Sequence, residues 1–223
     1  MRSLFEAKGI ALVTGEPVRI DGPRGAKAVT LSGGAVVRGG FVVTGVGIDP
    51  AVGPLAGSGL VEDGAVSVDA RMRTRAPAVY AAGDVVAVEG PRGERRRAEH
   101  WVTAQRQGVR AALAMMGGDP GPQEPEFFWS KPAGVSLKFA GRAGVHDRVA
   151  FRGSVEESRF TAGYYRGGMI VAAASMGMAR ELACLERLLA RGRGPTAEQL
   201  CDESWDIAAA ARGAPGPTAT ART

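Results

Sequence analysis

Glycine is the residue that most restricts what this chain can build. It fills 33 of 223 positions, about twice the usual share of roughly 7%, and many of these glycines close short apolar runs. Such punctuation predicts many tight turns or close approaches of the backbone to a ligand. The rest of the composition is ordinary: 45% hydrophobic and 23% charged residues exclude wholesale disorder and a fibrous repeat. The length suffices for one large domain or two small ones.

The first sixty residues read as short strands. Ile10 to Thr14, Val18 to Asp21 and Lys27 to Leu31 are separated by Gly15-Glu16-Pro17 and by Gly22, Pro23 and Gly25, which predicts a meander. The run Gly40-Phe41-Val42-Val43-Thr44-Gly45-Val46-Gly47 does not alternate, so it is expected to be a strand covered on both faces. Its closing Gly-x-Gly suits either a ligand lying close to bare backbone or a plain turn. Val66 to Asp69 alternates as a strand. Val79-Tyr80-Ala81-Ala82-Gly83-Asp84 reads as a buried strand ending in one carboxylate, at the edge where α/β sheets bind ligands. Asp84 as a strand-ending turn residue is the alternative.

A helix is predicted from about Glu99 to Met116, with Ala104, Gly108, Ala111 and Ala112 offering a smooth face. Its amino end carries Glu99, His100 and Trp101, where free N–H groups favour negative charge; a core Trp and a backbone-satisfying His are equally open readings. Pro120, Pro122 and Pro125 suggest a linker. Beyond it, Phe127-Phe128-Trp129 concentrates rings in a chain that is only 6% aromatic. Strands are expected at about Val135 to Ala140, Arg148 to Val155, Phe160 to Tyr165 and Met169 to Ser175, then a helix from Met178 to Arg191 with a leucine stripe. Ala208 to Thr223 is expected to be frayed.

Two cysteines, Cys184 and Cys201, exclude a disulfide scaffold, a four-cysteine metal site and a Cys-x-x-Cys redox pair. Any electrons would therefore travel on a cofactor. No apolar stretch approaches the ~20 residues needed to cross a bilayer, and no secretory signal is evident, so a cytoplasmic protein is expected. The net charge of +5 is spread along the chain, which favours surface solubility over nucleic-acid binding.

Taken in order, Gly45-Val46-Gly47-Ile48-Asp49-Pro50, Val79 to Asp84, Glu99-His100-Trp101 with Ala104 and Gln107-Gly108, and Phe127-Phe128-Trp129-Ser130 resemble the carboxyl-terminal half of an FAD-dependent pyridine nucleotide-disulfide-type oxidoreductase. The similarity is to the ferredoxin and rubredoxin reductases, especially their apoptosis-inducing-factor-like branch. It implies an α/β fold, with a partial parallel FAD/NAD-binding sheet followed by an α+β antiparallel carboxyl-terminal reductase domain. The implied bounds are 1–54 for the end of the NAD(P)-binding domain and 55–120 for a returning segment of the FAD-binding domain. A reductase or interface domain at 121–200 and a flexible tail at 201–223 complete them.

The resemblance further implies FAD and NAD(P)H as cofactors. Gly47 would line the nicotinamide, and Gly83 and Asp84 would meet the ribityl chain. Glu99, His100 and Trp101 would face the flavin ring, with Trp129 packing near it from the closing domain. It implies no metal, and no catalytic acid, base or nucleophile is evident. Electrons would pass from nicotinamide through flavin to a ferredoxin- or rubredoxin-like carrier, with no role for nucleic acid or membrane. Family members also carry two G-x-G-x-x-G fingerprints for the pyrophosphates. Neither is found in this sequence, so the strand ending at Asp84 is expected to have an open edge. The alternative function is therefore a non-catalytic module that dimerises or complements a separate amino-terminal polypeptide. Gly40 stands where the family has an acidic residue, and Asp49 where it has Arg. Arginines at 92, 95, 96 and 97 suggest either a docking patch for an acidic carrier or a solvated loop.

Overall fold

The computed structural model describes residues 2–90 and 93–213, and they divide into two compact units, Met1–Asp49 and Pro50–Thr223. In the first, a short helix α1 (Arg2–Glu6) precedes three strands, β1 (Pro17–Asp21), β2 (Lys27–Leu31) and β3 (Val36–Gly39). They pair antiparallel in sequence order, Ile20 opposite Val29 and Val29 opposite Val37. The β1–β2 turn depends on Gly22, whose φ is +96° and where a Cβ would stand 2.0 Å from the Ala26 carbonyl oxygen. Two strands of the expected meander are thus present, and β3 rather than Ile10 to Thr14 is the third.

Two strand expectations in this unit fail. Residues 10–14 and 40–48 take no strand pairing among the described residues. Phe41, Val43 and Val46 are 80%, 83% and 87% exposed, so the two-sided burial expected of this run is not realised. An apolar run becomes a strand only when a neighbour accepts its ladder hydrogen bonds, and none does so here. No described residue of this unit is buried.

The second unit opens with a four-stranded sheet ordered β4 (Val61–Glu62), β5 (Ala65–Val68), β6 (Val86–Glu89) and β7 (Arg95–Arg96). β5 and β6 run parallel, with Val66 beside Val86 and Val68 beside Val88. This single parallel pair is what the structure holds of the parallel sheet, and its second strand is not the expected one. Val79 to Asp84 forms only an isolated bridge, Tyr80 with Arg73, and is half-buried to exposed. The ladder begins only at Val86, two residues beyond Asp84, after Gly83 has turned the chain with φ +93°.

The β5–β6 core gathers Val66, Val68, Met72, Val86 and Val88 against Ala111 of helix α2 (Trp101–Met115). The buried stripe of α2 is Thr103, Gln107, Arg110, Ala111 and Ala114; of the expected small-residue face Ala111 is buried and Ala104 half-buried, while Gly108 and Ala112 are exposed. Gln107 and Arg110 are buried because each finds backbone partners. Arg110, 4% exposed, donates to the carbonyls of Ala70, Pro120, Gly121 and Pro122 at 2.9–3.3 Å. That clasp fastens the proline-rich segment to the helix, so it is no free linker at this end.

The closing sheet comprises β8 (Phe127–Ser130), β9 (Leu137–Gly141), β10 (Arg148–Ser154), β11 (Arg159–Arg166) and β12 (Met169–Met176), ordered β10-β11-β12-β9-β8 and antiparallel throughout. Helices α3 (Ala179–Ala190), α4 (Ala197–Cys201) and α5 (Ile207–Arg212) follow. Small sheet residues Ala140, Ala150 and Ala173, with Tyr165, meet Leu182, Leu185, Leu188, Leu200, Ile207 and Ala211 in one core. Burial pushes the Tyr165 hydroxyl pKa up, and the hydroxyl donates to the Thr196 carbonyl at 3.2 Å. The expected frayed tail is corrected over residues 208–213. Asp206 caps α5 through the Ala209 N–H at 2.9 Å, and Ile207 and Ala211 are buried. Residues 214–223 of that expectation lie outside the described residues.

Candidate functional site

The amino end of α2 begins at His100, whose extended backbone (φ −133°, ψ 129°) starts the helix without a side-chain cap. The first turn therefore keeps N–H groups that no side chain caps, and with them the positive end of the helix dipole. Trp101, the first helical residue, is 77% exposed. Glu99 is held by Arg97, Nη2 to Oε1 at 2.7 Å.

His100 connects this helix end to the closing sheet. Its ring stacks on Phe128 at 4.9 Å, and Phe128 stacks on its cross-strand partner Phe139 at 5.2 Å. Phe139 reaches Tyr164 at 5.8 Å across β12, where Ala174 and Ala172 are the residues opposite them and leave room for both rings. His146 meets Tyr164 edge-on at 5.1 Å. Trp129 follows Phe128 on β8 and is 55% exposed. An open groove of about 320 Å³ lies against this stack, lined by Glu99, His100, Phe128, Phe139, Glu126 and Arg142.

Gly83 and Asp84 lie along the same helix. Gln107 of α2 accepts the Gly83 N–H at 2.8 Å, and a Cβ on Gly83 would stand 3.9 Å from the Ala104 methyl. The Asp84 carboxylate is exposed and has no hydrogen bond or ion pair among the described residues. The structure thus gathers Gly83, Asp84, Glu99, His100 and Trp101 around one helix; Trp129 follows Phe128 on β8, and strand alternation turns it to the face away from the Phe128 stack. Gly47 belongs to the first unit, exposed, with φ +105°. A larger groove of about 670 Å³, lined by Glu62, Ser67, Asp69, Arg73 and Tyr80 among others, includes none of these residues.

Arg95, Arg96 and Arg97 do not form a free positive patch. Arg95 pairs with Asp63 at 2.8 Å, Arg96 with Glu94, and Arg97 with Glu99. That balance does not favour a carrier-docking patch, and Arg95–Arg96 form strand β7 rather than the alternative solvated loop; Arg92 lies outside the described residues. Gln107, Phe128 and Phe139 are not among the expected site residues. The first two fall inside motifs already singled out, but which of their neighbours they touch is a tertiary matter. No group of three His, Cys, Asp or Glu among the described residues could hold a metal ion.

Comparison with known proteins agrees with this geometry. Residues 1–108 match the model of the pyridine nucleotide-disulphide oxidoreductases, and residues 127–211 match the reductase C-terminal model. The chain belongs to this oxidoreductase family. It is 34% identical over 171 residues to human apoptosis-inducing factor 3, covering 75% of this chain and 28% of that protein. Identity is also 34%, over 189 residues, to the ferredoxin–NAD(+) reductase component of the anthranilate 1,2-dioxygenase system of Burkholderia cepacia, covering 81% and 46%. Among solved structures it resembles the ferredoxin reductase for the CYP199A2 system of Rhodopseudomonas palustris, with a TM-score of 0.84 and 30% identity over 94% of this chain and 54% of that one. The chain thus spans about half, or less, of the length of these relatives. The family's reductases work with FAD and NAD(P)H.

Proposed function

We propose that this chain forms the flavin-contacting part of an FAD-dependent NAD(P)H oxidoreductase that passes electrons to a ferredoxin- or rubredoxin-like carrier in the cytoplasm. The observation that carries this reading is the exposed Asp84 carboxylate, without a hydrogen bond or ion pair among the described residues, near the uncapped amino end of α2 and its exposed Trp101. A free carboxylate accepts hydrogen bonds from the hydroxyls of a ribityl chain. Trp101 and Trp129 offer flat apolar faces to a ring system. The free N–H groups of the first helical turn stabilise negative charge on a flavin pyrimidine. Gly83 serves by conformation, since its N–H is already committed to Gln107. Gly47 would keep the nicotinamide path free of a side chain. When bound, FAD supplies the hydride-accepting and one-electron chemistry; the protein positions it and sets its electrostatics.

The test is flavin uptake by the full chain, alone and co-expressed with the amino-terminal half of the Burkholderia cepacia reductase component. A yellow complex with quenched flavin fluorescence supports the reading, and folded protein that stays colourless in both forms overturns it. A second reading, as an assembly module, is favoured by the exposed apolar runs at residues 10–14 and 41–48. Complementation without flavin, seen as co-elution on size-exclusion chromatography, would select it. Among the described residues no helix is long and apolar enough to cross a membrane.

A further inference from the structure

We propose that Gln107 is a positioning residue for the flavin site, acting through the Gly83–Asp84 peptide. The inference rests on the flavin reading and adds a member to that site that does not touch the ligand. Gln107 lies in the second turn of α2, is 4% exposed, and accepts the Gly83 N–H across 24 residues of sequence. Among the described residues Asp84 has no bond of its own to hold its side chain. Just before it, the Ala81 N–H donates to Met72 O at 3.1 Å, and just after it the Val86 N–H donates back to Gly83 O at 3.1 Å. Between these two anchors the chain swings on Gly83, whose φ of +93° is a conformation in which the peptide orientation decides where Asp84 points.

The helix is itself immobilised further along. Arg106 reaches Glu186 of α3 at 2.7 Å and Pro125 O at 3.0 Å, and Arg110 is clasped by four carbonyls. Gln107 therefore transmits the position of a fixed helix to a loop that has no ladder partner at that point. It keeps the Asp84 carboxylate and the helix amino end in register, as they must be to address one cofactor together. Gln107→Leu removes the acceptor at similar size, and Gln107→Glu keeps an acceptor oxygen.

FAD titration of the full chain co-expressed with the Burkholderia cepacia amino-terminal half, read by flavin fluorescence, tests this. Q107L is expected to raise the FAD Kd about tenfold, and Q107E to recover most of the loss. Asp84→Ala is expected to weaken binding at least as much, and Q107L added to D84A to cost nothing more, because the carboxylate through which Gln107 acts is gone. In the flavin-free full chain, the Gly83 amide should exchange faster in Q107L than in the wild type or Q107E. Unchanged FAD affinity in Q107L, additive losses in the double variant, or unchanged Gly83 exchange overturns the positioning role and leaves the flavin reading intact. A folded wild type that takes up no FAD overturns the flavin reading, and this proposal with it.

Discussion

The first unit and the closing sheet are written in the same grammar, short antiparallel strands separated by glycine turns, yet they end in opposite physical states. Residues 2–49 bury nothing. Residues 127–211 bury a continuous core in which Tyr165, Leu182, Leu185 and Leu200 are at most 1% exposed. The difference lies in the helices available to each sheet. The closing sheet is succeeded by three helices that carry leucine and isoleucine into its core, and the first unit has only a five-residue α1 with no buried residue. Strand formation is a local decision, whereas burial needs a second layer.

Core truncation tests that contrast most sharply. Leu185→Ala removes a fully buried side chain and should cost about 3 kcal/mol, whereas Val37→Ala, at a site 41% exposed, should cost under about 0.5 kcal/mol; chemical denaturation of the two variants decides. Equal losses would mean that the first unit is packed as firmly as the second. Replacing Arg110 by Met leaves the carbonyls of Ala70, Pro120, Gly121 and Pro122 without their donor and should cost about 2–3 kcal/mol. Faster proteolysis at residues 118–125 would locate that loss.

Glycine turns differ between the two regions in the same way. Gly141 and Gly25 both have positive φ, but a Cβ at Gly141 would lie 2.5 Å from Val171 O, whereas at Gly25 nothing lies within 4 Å. Gly141→Ala should therefore cost about 2–3 kcal/mol and Gly25→Ala about 1 kcal/mol, the second being conformational strain alone. Thermal melts giving the reverse order would contradict this ranking.

A pH dependence should be weaker still. Burial acts to raise the Asp69 pKa, but hydrogen bonds from the Arg73 and Arg71 N–H groups and the Arg73 guanidinium outweigh it and hold the carboxyl below its ordinary value. A depressed folded pKa means the contribution is complete above the unfolded value, near 3.9, and is lost as pH falls through the lower folded one. Asp69→Asn should cost about 1 kcal/mol at neutral pH, with the difference from wild type shrinking on acidification below about pH 4. A gap that stays constant with pH would mean that the carboxylate charge plays no part.

Local pattern alone specifies the strands β9 to β12 and the helix α3 of the closing domain, but not α4 and α5, whose residues read as the approach to a frayed tail. The domain's turns are rich in glycine, and the leucine stripe of α3 has a period that helix geometry imposes, so β9 to β12 and α3 are legible to within a few residues. Two strands of the meander and the helix α2 are legible for the same reason. Which apolar runs became strands was settled only by tertiary contact. Residues 40–48 and 79–84 look as strand-like as 86–89, but only the last has β5 beside it to share a ladder of hydrogen bonds. Tertiary contact also selected polar Gln107 and Arg110, rather than Gly108 and Ala112, for the buried side of α2, because free carbonyls and a free Gly83 N–H lie there. Local pattern records what a segment prefers. Hydrogen-bond partners and burial depend on which distant segments arrive, and that is written only in three dimensions.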